Sequence, residues 1–186
     1  MAVLGATSRS CAVAVAAALA LAWDPAALAQ THAPEYAVKA AYLYRFAPFV
    51  AWPPSAFASP TSPFYLCVQG DDPFDGSLDQ AVNGQRLDGR QVVVRRVQTV
   101  DGMTGCHIVF LAGSRRQSAS DAVKTVRGEP VLTVADEGRG AAGSVIQFVV
   151  KDSRVRFQID VEAAQANRVN ISSKLLSLAL PVRSGG

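Results

Sequence analysis

The sequence predicts an α/β domain: a mixed β-sheet of about six strands covered by helices, with a β-hairpin in the C-terminal half followed by helix. Three observations predict it. Apolar runs of strand length alternate with helical stretches over residues 64–135. Two further apolar runs, joined by a four-residue turn, fill residues 144–161. Finally, 49% of the 186 residues are hydrophobic against 18% charged, a balance that suits one packed domain and argues against a disordered or fibrous chain.

The first thirty residues place Arg9 ahead of an apolar run from Cys11 to Ala22, with Ala27-Leu28-Ala29 before Gln30. That pattern predicts a secretory signal peptide over residues 1–29, cleaved after Ala29, because the run is shorter than the roughly 20 residues a membrane span needs. The alternative is an uncleaved helix that anchors the domain to the inner membrane. Cys11 follows Ser8-Arg9-Ser10, which lacks the apolar and small residues expected before a lipid-modified cysteine. The remaining residues, 30–186, form one expected domain outside the cytoplasm.

Glu35 to Val50 reads as the first helix, opened by Pro34 and stopped by Trp52-Pro53-Pro54. Val38, Tyr42, Phe46 and Phe49 make one apolar stripe; Tyr36, Ala40, Leu43, Ala47 and Val50 make a second; Tyr44 lies outside both. A helix apolar nearly all round needs two partners, either within its own domain or on another protein.

Phe64–Val68 is a short apolar strand, followed by the turn Gly70-Asp71-Asp72-Pro73 and a helical stretch with Phe74, Leu78 and Val82 four residues apart. The aspartates Asp71, Asp72, Asp75 and Asp79 lack the ligand spacing of an EF-hand loop and read as helix-start caps, so no metal is expected. Strands follow at 92–97 and 106–111, a helix at 114–126 ended by Gly128, and a strand at 130–135. Ser144–Val150 and Val155–Val161 make the hairpin, and the alternation of Val155, Phe157, Ile159 and Val161 with polar residues places the second strand at or near a sheet edge. The last helical region, 162–180, has a break at 167–170.

Several chemistries are disfavoured. Eighteen basic against fifteen acidic residues, a net charge of +3, is too small and scattered for a nucleic-acid surface. Gly138-Arg139-Gly140-Ala141-Ala142-Gly143 matches a dinucleotide-binding pattern, but a strand follows it where a phosphate needs a helix start. His32 sits near the expected new N-terminus, and His107 opens an apolar strand beside Cys106, where adjacent residues point to opposite faces and separate thiol from base. No catalytic set emerges, and the chain is read as a non-enzyme without a cofactor. Cys67 and Cys106 are the two cysteines left after export; an even number in an oxidising compartment favours a disulfide, the alternative being two separate buried thiols.

Three blocks then resemble the YfiR family of periplasmic proteins. They are Tyr36-Ala37-Val38-Lys39-Ala40-Ala41-Tyr42-Leu43-Tyr44-Arg45-Phe46 through Trp52-Pro53; Phe64 to Phe74 with Cys106-His107-Ile108-Val109-Phe110; and Val145–Phe148 with Val155–Asp160 and Ile171–Ala179. The resemblance implies a Cys67–Cys106 disulfide and a signalling regulator that binds the outer-facing sensor domain of an inner-membrane diguanylate cyclase. Such a protein holds down cyclic di-GMP synthesis, can be sequestered by an outer-membrane lipoprotein, and is expected to form a homodimer. Tyr44, Phe46, Phe49 and Trp52 are candidate contacts with the partner, and equally candidates for locking the helix to the sheet. The rival function is a small-molecule sensor with an apolar pocket lined by Tyr42, Phe46 and Trp52.

Overall fold

The computed structural model describes residues 26–102 and 105–181. The expected signal peptide lies outside them, except for its last four positions, whose backbone is helical. The helices are α1 (Ala26–Phe46), α2 (Ser77–Val82), α3 (Ala119–Thr125), α4 (Val161–Ala166) and α5 (Ser173–Leu176). The strands are β1 (Val50–Ala51), β2 (Phe64–Gly70), β3 (Arg86–Leu87), β4 (Arg90–Val97), β5 (Ile108–Gly113), β6 (Leu132–Asp136), β7 (Ile146–Lys151), β8 (Arg154–Ile159) and β9 (Asn170–Ile171).

Seven strands form the main sheet in the order β3-β4-β2-β5-β6-β7-β8, and β1 pairs with β9 apart from it. The five central strands are parallel, with an antiparallel strand at each edge. Counted along the chain, the parallel strands stand in the doubly wound order 2-1-3-4-5. Both faces of the centre are covered, so β2, β5 and β6 are buried almost throughout, the reason their sequences read as unbroken apolar runs. Alternate residues feed two cores. Phe64, Leu66, Val68, Ile108 and Phe110 meet α1 and α2, while Cys67, Val109 and Leu111 meet Ala119 and Ala122 of α3 and Val126 just after it.

The sequence expectations shift at element ends. The first helix already includes Ala26, the first described residue, because an Ala- and Leu-rich run precedes Glu35, and Pro34 lies inside it. It stops at Phe46, not Val50, because Pro48 cannot continue an α-helix; a single 3-10 turn, Ala47–Phe49, leads into β1. The third helix begins at Ala119, where Ser118 caps it by accepting from Asp121 N, and 114–117 close a turn of their own. The expected break at 167–170 is where β9 forms and pairs with β1, Val50 opposite Ile171. The hairpin stands as expected, with β8 at the sheet edge.

Candidate functional site

The doubly wound order directs attention to the carboxyl ends of β2 and β5, the point where strand order reverses and such folds hold ligands. Here that crevice is filled by the chain itself. Gly70 and Gly113 press together so closely that a Cβ on Gly70 would lie 2.2 Å from the Gly113 carbonyl oxygen, and Asp71 N donates to that oxygen at 3.0 Å. The fully buried Gln69 amide donates to Gln98 O and Gln117 O and accepts from Gly113 N, so both its donors and its oxygen are engaged within the chain.

One strand along, the carboxyl end of β6 carries a buried ionic cluster. Asp136 receives the Tyr36 hydroxyl at 2.6 Å, faces the Lys39 ammonium at 2.7 Å and meets Arg139 Nε at 3.3 Å. Lys39 is only 3% exposed and also pairs with Glu35. Arg139 reaches on to Ala112 O and the Tyr36 oxygen. The glycine pattern at 138–143 thus forms the loop before a strand that the sequence suggested, and its arginine ties that loop to α1. Burial and the Asp136 bond hold the Tyr36 hydroxyl above its ordinary range, so it remains a donor. Burial alone would lower Lys39, but its bonds to Asp136 and Glu35 outweigh it and hold the ammonium above its ordinary value.

Cys67 and Cys106 form a disulfide, with Cα atoms 5.9 Å apart, which links β2 to the start of β5. His107 turns to the opposite face, as adjacent strand residues must. Its Nδ1 accepts from Tyr65 N at 3.0 Å, and its ring stacks on Phe57 and Phe64 at 4.6 and 4.7 Å. Burial, with Arg90 nearby, pushes its pKa down to about 4, so it is a neutral packing residue at pH 7. The aspartates do not cap α2, whose N-cap is Gly76 with no side-chain bond; Asp72 instead accepts from Phe74 N in the preceding turn, and both Asp72 and Asp79 hold Arg96.

The four candidate partner contacts separate. Phe46 is sealed between Tyr42, Phe148 and Phe157 and presents nothing outward. Trp52 donates Nε1 to His107 O and packs edge-on against Phe64, a structural role. Phe49 is half-buried beneath the Lys174 ammonium, and Tyr44 is half-buried against the core. Tyr42, Phe46 and Trp52 line no common cavity among the described residues, because Phe46 and Trp52 face different parts of the core.

The second stripe of α1 (Tyr36, Ala40, Leu43, Ala47) is buried on the sheet, whereas the first stripe is covered only at its C-terminal end, where Tyr42 and Phe46 meet the hairpin. Its N-terminal part is left open. There Pro34, Glu35, Val38 and Tyr42 face Val150, Val155, Arg154 and Arg156 across a groove of about 640 Å³, which continues over Ala37, Ala41 and Arg45. The sequence hid this groove because Val38 and Val150 sit on separate elements and look like ordinary core valines. The cluster around Asp136 was equally hidden, since its members lie up to 103 residues apart.

The family model described as YfiR/HmsC-like matches residues 36–180, and the chain belongs to that family. A search of the curated proteins finds no match.

Proposed function

We propose that this member of the YfiR/HmsC-like family represses an inner-membrane diguanylate cyclase by binding that enzyme's outer-facing sensor domain. The family is one of periplasmic regulators in cyclic di-GMP signalling, regulatory and non-catalytic in character. Its match across residues 36–180 is the observation that carries the reading. Three features support it: a disulfide suited to an oxidising compartment, a switch-point crevice filled by the chain's own Gln69, and a histidine kept neutral in the core. None of the described helices is long and apolar enough to cross a membrane.

Repression then works by association. The protein holds the sensor domain in its inactive arrangement, and an outer-membrane lipoprotein relieves repression by sequestering the regulator. The test is direct binding of the purified disulfide-bonded protein to the purified outer-facing domains of the host's diguanylate cyclases, by calorimetry. Saturable binding to one of them is expected; binding to none refutes the reading.

A further inference from the structure

The groove between α1 and the hairpin is the place where a helix built to be covered on two sides has one side bare. Val38 and Val150, at its two walls, are 45% and 51% exposed, and they are two of the four large hydrophobic residues exposed among the described residues. Ala37 is exposed, and Ala41 and Tyr42 are half-exposed beside them. Burial of this apolar strip would complete the packing that the stripe of α1 begins at Tyr42 and Phe46.

Its rim is charged in one sense. Arg45, Arg154 and Arg156 line the groove and its extension, and all three are exposed. None of them has an ion-pair partner among the described residues. The one carboxylate in the lining, Glu35, is already committed to Lys39, which is itself held by Asp136. Of the other exposed arginines, Arg96 pairs with Asp72 and Asp79 and Arg168 with Glu129, while Arg86, Arg115, Arg116 and Arg127 have no ion pair among the described residues but line neither the groove nor its extension. The groove therefore presents an apolar floor with unmatched positive charge around it.

Resting on the regulatory reading above, we propose that this groove docks an apolar segment bearing Asp or Glu residues, contributed by the outer-facing domain of the partner cyclase. The valines and Tyr42 bury the apolar side chains. The arginines pair with the carboxylates, which steers encounter and fixes orientation. Phe46, packed on Tyr42, Phe148 and Phe157, acts only as part of the base on which the groove is built, and Trp52 lies away from it against Phe64.

The experiment places a photo-crosslinking benzophenone amino acid at Val38 or Val150 in the secreted, full-length protein in cells, with Gln91, an exposed position on β4 at the other side of the sheet, as control. The crosslinked peptide is identified by mass spectrometry. The expected result is a crosslink from positions 38 and 150, and not from 91, to an apolar segment containing Asp or Glu in a membrane diguanylate cyclase. Its yield should fall about tenfold in Arg154→Glu/Arg156→Glu, whose exposed side chains leave the melting temperature unchanged. Crosslinks to a second copy of this chain, equal crosslinking from Gln91, no crosslink from the groove, or a yield indifferent to charge reversal would each overturn the assignment. A charge-dependent crosslink to such a segment in a protein that is no cyclase would uphold the groove and refute the cyclase reading.

Discussion

Removing Asp136 strands a buried lysine, and the size of the penalty follows from its surroundings. In Asp136→Leu, Lys39 keeps only the half-buried Glu35 as partner, while its ammonium stays enclosed between the Tyr36 and Phe148 rings. Breaking a buried pair from one side costs about 3–5 kcal/mol. A ceiling comes from the lysine itself, which can release its proton; from roughly 10.4 in the unfolded chain, that costs about 4.6 kcal/mol at pH 7. Glu35 lowers the outcome, so about 3 kcal/mol is expected, a fall in melting temperature on the order of 10 °C. Lys39→Met costs less, because the Tyr36 hydroxyl and Arg139 still hold the carboxylate. Adding Lys39→Met to Asp136→Leu should therefore restore stability, since an apolar pair replaces an ionic one. The pH response has a definite sign. A lysine pushed below its unfolded value binds fewer protons in the folded state, so Asp136→Leu gains on wild type as pH rises from 7 to 9. In wild type Lys39 is raised, and its contribution is lost only at more alkaline pH, above its unfolded value. Urea unfolding of the four proteins at pH 7 and 9 checks this. Two small, additive single effects with no pH dependence would refute the argument that the cluster is buried and coupled.

Other perturbations test other parts of the fold. Cys67→Ser or Cys106→Ser opens a loop spanning a separation of 39 residues and should cost about 4 kcal/mol in urea; an unchanged midpoint with both thiols titratable in wild type would remove the disulfide. His107, depressed to about 4, makes stability fall as pH drops below its unfolded value near 6.5, by about 2 kcal/mol at pH 5. Since the chain has only two histidines, NMR titration of the ring carbons assigns the low value directly, and a midpoint near 6.5 for His107 would contradict its burial. Gly70→Ala drives a methyl into the Gly113 carbonyl at a positive φ of 88° and should abolish cooperative unfolding, whereas Gly76→Ala, at a φ of 82° but with open space around it, should cost only the left-handed backbone strain of about 1–2 kcal/mol and leave unfolding cooperative.

Most of the scaffold was legible because its signals are local. Unbroken apolar runs marked β2, β5 and β6, alternation marked β8, and the turn 151–154 marked the hairpin. What escaped were two-residue strands, β1, β3 and β9, too short to carry a period, and the start of α1, where Pro34 mimics a helix opening but lies inside it. Strand order escaped too, since it depends on crossovers that no local pattern encodes. The site was less legible. Aromatic residues drew attention to Phe46 and Trp52, which their neighbours bury, while Val38 and Val150 gained their meaning only once α1 and the hairpin were brought together.

The central claim is repression exerted from outside the cytoplasm. Cellular cyclic di-GMP in a strain lacking this gene, complemented by the full chain or by a copy without residues 1–29, tests it most directly. The account predicts a rise on deletion that the full chain reverses and the truncated copy does not. An unchanged level on deletion, or equal rescue by both copies, would contradict it.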